Sequence, residues 1–519
     1  MSTPSYSTVP QHDGQVDDGS STSSRGGRRS ATGGVVIQAP SRGYTSGRSR
    51  KGRKDSGYRG QASWLSSIIN LVNTIVGAGV LAMPRALSQM GVTLGIFVII
   101  WSGLTSGFGL YLQTRCARYL DRGSASFFAL SQITYPNAAV VFDAAIAIKC
   151  FGVGISYLII IGDLMPGVVL GFNENAGEIG YLVDRHFWVT AFMLIVIPLS
   201  FLRRLDSLKY TSVVALCAIG YLIILVLFHF IKGDTLADRG EVHYFTWQGP
   251  VAALASFPVI VFAYTCHQNM FSVLNEISNN SHFRTTSVVV TSIGTACFVY
   301  ILVAITGYLS YGDNVGGNIV AMYPPSVPAT IGRAAIVVLV MFSYPLQVHP
   351  CRASIDGILN WRPRRTRSEE SSPSRISLPG AIKREKKAEM SDTRFAAITS
   401  LIIICSYIVA MTVSSLEKVL AYVGSTGSTS ISFILPGLFY YKISSPDSPL
   451  HQALLKEDDD EDYDSGDEGD EEDGSLLQVK RWFRSKNLLR KLSLALAIYG
   501  AVVMVVCLTT NTFFAAKGH

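Results

Sequence analysis

Long apolar blocks separated by short polar segments fill the chain from residue 64 to residue 514. A helix needs about 20 consecutive, mostly apolar residues to cross a bilayer. Blocks near that length run at 64–87, 92–114, 138–171, 187–202, 210–231, 251–275, 285–311, 328–349, 394–415, 418–441 and 488–514. They predict about eleven transmembrane helices. The third is too long for one straight crossing, so it is expected to tilt or to begin outside the bilayer. The ninth and tenth are the least distinct pair, because only Ser414 to Lys418 divides them.

Composition agrees with this pattern. Apolar residues make up 48% of the 519 and charged residues 16%, and mean hydropathy is positive. The charge collects in the N-terminal tail and two long loops, as in a membrane protein. A formal charge of +7 does not point to nucleic acid, since the basic residues flank spans and form no single face. The eight cysteines have no CxxC pair and lie mostly inside apolar runs, so they read as small buried hydrophobes. The polar first sixty residues show no cleavable signal peptide.

Lysine and arginine set the orientation. They crowd the tail from Arg25 to Arg59 and recur at Arg115, Arg118 and Arg122, at Arg203, Arg204 and Lys209, from Arg352 to Lys387, and from Lys480 to Lys491. With eleven spans and a cytosolic N-terminus, all of these fall on one side. The opposite loops, 172–186, 233–250 and 313–327, carry few basic residues. The C-terminus then lies in a lumen or outside the cell. This divides the chain into a disordered basic cytosolic tail (1–60), a ten-helix core (61–441), a cytosolic acidic loop (442–487) and an eleventh helix (488–515). The tail and the acidic run Glu457–Asp473 read as solvated segments or as regulatory ones, for instance through phosphorylation at Ser465. The sequon Asn279-Asn280-Ser281 falls on the cytosolic side and is expected to stay unglycosylated.

A bilayer-spanning helix breaks only beside protein or a water-filled cavity. Many secondary transporters break two corresponding helices of an inverted repeat there, and the freed backbone holds substrate and coupling ion. Span one carries Gly77-Ala78-Gly79, with Asn70, Asn73 and Pro84 in the same helix. This predicts a break; the alternative is a small-residue packing face. Span six carries Tyr264-Thr265-Cys266-His267-Gln268, five polar or weakly polar residues in an apolar run. His267 is either a proton-linked group or a histidine bonded to a neighbouring helix. Lys149 in span three either snorkels to the interface, pairs with an acid or occupies a cation position. Span eight ends Ser343-Tyr344-Pro345 to His349-Pro350, where prolines and a hydroxyl expose oxygens suited to a hard cation. The run Gly424–Thr429 in span ten is a packing or gating seam. No span carries a carboxylate pair, a His-x-x-x-His or a Gly-x-Ser-x-Gly elbow, so no enzyme and no cofactor are expected.

Three motifs, in order and spacing, resemble those of the amino acid/auxin permease family, nearest to its fungal vacuolar amino acid transporters. They are Asn73-x-x-x-Gly77-x-Gly79-x-Leu81, Lys149-Cys150-Phe151-Gly152 through Tyr157 to Gly162-Asp163-Leu164-Met165-Pro166, and Phe262-Ala263-Tyr264-Thr265-Cys266-His267. The resemblance covers 64–441 and the last span. It implies a LeuT-like fold of two inverted five-helix repeats plus an eleventh helix. It implies an amino acid substrate held by Val76, Gly77, Ala78 and Gly79, by Phe262, Ala263, Tyr264 and Thr265, and by Tyr157. Ion coupling is expected at Asn73, Ser343, His267 and Lys149. Asn73 and Ser343 match the sodium site of sodium-coupled relatives, whereas the vacuolar branch implies protons. The expected function is proton-coupled export of amino acids from vacuole lumen to cytosol. The alternatives are a sodium-coupled importer of the plasma membrane and an amino acid sensor with a transporter fold.

Overall fold

A computed structural model describes residues 60–203, 211–278, 280–361, 390–452, 454 and 472–514. The tail before residue 60, Asn279 of the sequon and the acidic run up to residue 471, with Ser465, lie outside the described residues. Among those described, the secondary structure is helical apart from one parallel bridge between Ala62 and Ile277.

Span one is two helices, α1 (Trp64–Ile75) and α2 (Gly79–Met90), meeting at 56°. Next come α3 (Val92–Ala117), α4 (Ala139–Phe172), α5 (Arg185–Ser200) and α6 (Thr211–Lys232). Span six is again two helices, α7 (Pro250–Ala263) and α8 (His267–Glu276). They are followed by α9 (His282–Tyr311), α10 (Val327–Asn360) and α11 (Asp392–Thr412). Span ten is α12 (Leu416–Val423), two π-helical segments (Gly424–Ser428 and Ser430–Ile434) and α13 (Leu435–Ile443). The last helix, α14, runs Glu472–Thr509.

Local chemistry sets these ends. Ser63, Ser281 and Ser326 cap α1, α9 and α10, each hydroxyl accepting a first-turn amide. Asp184 caps α5; hydrogen bonds from the backbone and ring of His186 hold its carboxyl below the usual range. Gly91, at φ 73°, makes the sharp turn from α2 into α3.

With α7 and α8 taken together, eight described segments are long and apolar enough to cross a membrane, or nine when α1 and α2 also count as one span. The other two expected crossings are the 16-residue α5 and the interrupted span ten, neither of which reaches the length of a single straight crossing. The third block is one 34-residue helix, kept continuous through Pro166.

The scaffold is the long pair α4 and α10, packed along much of their length. Gly154 lets the Tyr344 ring approach α4: a Cβ there would lie 3.3 Å from the ring. Against this pair stands a second group, in which α9 lies against α1, α2 and α3, and α2 packs on α7. Ahead of α1 the chain is stapled to the end of α8, because Ala62 donates to Glu276 and accepts from Ser278.

Candidate functional site

The two helix breaks lie against one another. In span one, Val76 leaves helical geometry at φ −79° and ψ 84°. Its amide still reaches Val72, and the Gly77 amide turns back to the Ile75 carbonyl at 2.9 Å. The helix restarts at Gly79, where the amides of Ala78 and Gly79 make no backbone hydrogen bond among the described residues. In span six α7 ends at Ala263, and α8 restarts at His267 with the amides of Cys266, His267 and Gln268 likewise free of backbone partners. Only the first break bends its helices by more than 40° among the described residues. Glycine explains the contact: a Cβ on Gly79 would fall 2.6 Å from that of Ala263. At Gly77 a Cβ would meet nothing within 4 Å, so this side of the break faces open space.

Two helix N-termini and two helix C-termini therefore converge. The first pair offers amides and the positive ends of helix dipoles, which suit a carboxylate. The second pair offers carbonyls and negative ends, which suit an ammonium. Val76, Phe262, Ala263, Tyr264 and Thr265 are all buried here. Among the described residues, the buried Asn73 Oδ1 and Gln268 Oε1 near the breaks have no hydrogen-bond partner. Unpaired polar atoms at this depth are costly unless a ligand satisfies them. The two faces of span one differ: α2 buries ten of its twelve residues, whereas α1 buries four and exposes Asn70. Within α2, Arg85 Nε sits 3.5 Å from Glu417, tying span one to span ten.

His267 is fully buried at the start of α8 and bonded on both ring nitrogens. Nε2 lies 3.1 Å from the Ser106 carbonyl of α3, and Nδ1 3.1 Å from the Ser432 hydroxyl of span ten. A carbonyl only accepts, so Nε2 carries the hydrogen and neutral Nδ1 accepts from Ser432. Thr265, inside the break, donates to Val261 at 2.9 Å and can only accept from Ser432 at 3.3 Å, so the one Ser432 hydrogen has two alternative acceptors, His267 Nδ1 and Thr265. The histidine thus joins neighbouring helices, one of the two readings of its sequence, through one fixed acceptor and one hydroxyl that can exchange roles.

Lys149 departs from two of its readings. It is 4% exposed, so it does not snorkel, and no carboxylate pairs with it among the described residues. Its backbone is pressed by Gly427, where a Cβ would lie 2.8 Å from that of Lys149. The seam glycines of span ten are therefore contact points. Tyr157 is half-buried on α4, and its hydroxyl makes no hydrogen bond among the described residues. Asn73 and Ser343 are not joined: Ser343 donates to Leu339 of its own helix at 2.7 Å, while Asn73 Oδ1 is unpaired. The described residues contain no group of three or more metal-ligating side chains of the His, Cys, Asp and Glu type.

Sequence reasoning missed Ser106, Ser432 and Tyr300. The Tyr300 hydroxyl of α9 lies 2.7 Å from the carbonyl of Ile75 and 2.7 Å from that of Ala263. These are the last residues of α1 and α7. A lone tyrosine in an apolar run gives no signal of this. Only the fold brings it between two breaks separated by nearly two hundred residues.

Known proteins share this architecture. The family model for transmembrane amino acid transporter protein matches residues 60–457. Over 460 residues the chain is 43% identical to vacuolar amino acid transporter 5 of Schizosaccharomyces pombe, covering 87% of this chain and 95% of that protein. Over 474 residues it is 39% identical to vacuolar amino acid transporter 6 of Saccharomyces cerevisiae, covering 86% and 98%. Among solved structures, MhsT in complex with L-phenylalanine is similar with a TM-score of 0.52 at 13% identity, over 88% of this chain and 100% of that one. That likeness establishes the expected all-α, LeuT-like fold.

Proposed function

Because the chain belongs to the transmembrane amino acid transporter protein family, we propose that it exports amino acids from the vacuole lumen to the cytosol, driven by protons moving down their gradient. The vacuolar location follows the two fungal relatives. The tail side is cytosolic and the C-terminus lumenal, in keeping with the placement of lysine and arginine in the loops.

The observation that carries the substrate site is the meeting of the two breaks, with free amides at Ala78–Gly79 and Cys266–Gln268 beside helix-end carbonyls. An amino acid zwitterion matches both sets. Its carboxylate goes to the amides and its ammonium to the carbonyls around Val76 and Tyr264. Val76, Phe262 and Tyr157 supply an apolar wall for the side chain. The buried α2 and the Arg85–Glu417 pair support a state closed toward the lumen and open along α1 toward the cytosol. Rocking of the α1–α2, α7–α8 group against the α4–α10 scaffold then exposes the site to each side in turn.

His267 provides the coupling. When it takes a second proton, Nδ1 stops accepting and donates to Ser432. The serine hydroxyl then turns its hydrogen to Thr265 in the break, 3.3 Å away.

A second reading, sodium-coupled import at the plasma membrane, has one observation in its favour: the unpaired buried Oδ1 of Asn73. Its expected partner Ser343 donates to Leu339 of its own helix, and no contact joins it to Asn73 among the described residues. Vesicles loaded with labelled glutamine, glutamate or histidine separate the two. Under the proton reading, flux follows an imposed pH gradient without sodium, with about a tenfold change in accumulation ratio per pH unit for one proton per substrate. Flux that requires sodium and ignores pH contradicts it.

A further inference from the structure

We infer that Tyr300 is a positioning residue for substrate: its single hydroxyl proton, shared between the carbonyls of Ile75 and Ala263, holds the two helix breaks in register. Both contacts are 2.7 Å, the ordinary length for a hydroxyl donating to oxygen. The two acceptors belong to different spans and are the final residues of their helices, where carbonyls lack intrahelical partners. The ring is fully buried and stands edge-on to Tyr264, with centroids 5.0 Å apart at 80°. Packing therefore fixes the position of the hydroxyl. From the other direction Gly79 presses on Ala263. The pair of breaks is thus fixed by one van der Waals contact and one shared proton.

A phenol has one hydrogen and each carbonyl two lone pairs. The Ile75 carbonyl also accepts from the Gly77 amide at 2.9 Å, whereas the Ala263 carbonyl keeps capacity for a further donor. Removing the hydroxyl leaves only the Gly79–Ala263 contact between the breaks, and nothing that ties the two carbonyls to a common distance. Each helix end can then move separately, and the geometry that receives the ammonium is lost. The inference rests on the substrate site proposed above and is independent of which ion drives transport.

The experiment compares wild type with Tyr300→Phe and Tyr300→p-aminophenylalanine in vesicles, measuring KM, maximal flux and membrane abundance for each transported amino acid. Tyr300→Phe is expected to raise KM about tenfold or more, as loss of a buried donor predicts, with abundance and maximal flux within about twofold of wild type. The aniline amine is of similar size and donates, so it is expected to restore KM. Tyr311→Phe is the control. Its hydroxyl serves Met322 at the far end of α9, and KM should not change. An unchanged KM in Tyr300→Phe, or a fall in maximal flux alone, overturns the inference. Should Tyr300→Phe be absent from the membrane, the aniline variant carries the test: wild-type KM supports the donor role and a tenfold rise refutes it. If instead wild-type flux ignores pH or no amino acid is carried, the proposed function fails, and thermal unfolding of the purified variants with and without the amino acid still reads the binding step.

Discussion

Gly79→Val abolishes amino acid flux while leaving folded protein in the membrane: this is the largest single-residue effect expected. The Cβ it adds would lie 2.6 Å from the Cβ of Ala263 and 2.8 Å from its Cα. Carbon atoms rest at about 3.5–4.0 Å, so the two helices must part by roughly an ångström. One of the colliding atoms is backbone, and no rotamer change relieves the clash. Overpacking of this kind costs about 1–3 kcal/mol, which a scaffold held by α4 and α10 absorbs. The site does not absorb it, since misplacing binding groups by 1 Å lowers rates about a hundredfold. Gly294→Ala is the matched control. Its new Cβ meets nothing within 4 Å, on a face of α9 away from the breaks, and flux should stay within about twofold. Flux of Gly79→Val near the control level would show that the breaks tolerate separation.

The second large effect concerns coupling. His267→Gln is expected to remove the response to pH without removing binding. Glutamine can still donate to the Ser106 carbonyl, but it does not titrate, so the Ser432 hydroxyl never has to turn toward Thr265. A gradient of about two pH units makes about 2.7 kcal/mol available per proton, or about a hundredfold accumulation. In the variant accumulation should fall to about unity, while exchange of labelled for unlabelled amino acid at equal pH continues. Accumulation that persists in His267→Gln would move the proton to another group, with the buried Lys149 next in line.

The sequence made the first break readable because glycine marks a place where backbone is exposed and closely approached. Gly77 and Gly79 turned out to divide these tasks: one faces open space, the other makes the contact with Ala263. The second break was readable from a cluster of polar side chains at a depth where they are costly. Its smaller bend was not, because nothing in Tyr264 to Cys266 forces one. The facing of individual side chains was hidden as well. Membrane helices with apolar residues on all sides carry almost no periodic signal. Lys149 therefore read as a snorkelling residue, an acid-paired one or a cation position, and Tyr300 read as nothing in particular. Span four was visible as a 16-residue block, and its helix has the same length, begun two residues earlier behind the Asp184 cap. Span ten was visible too, but not the π-helical turns that bring Gly427 onto Lys149 and Ser432 onto His267.

The central claim is that the break of span one is the place where the amino acid binds. Gly77→Cys tests it most directly, because a Cβ there meets nothing within 4 Å and a thiol fits without repacking. In membranes, the rate at which a small thiol reagent modifies this cysteine is measured against wild type, whose native cysteines set the background. Transported amino acids should slow modification in a saturable way, and amino acids that are not carried should leave it unchanged. Modification at the same rate with and without saturating substrate would place the binding site elsewhere.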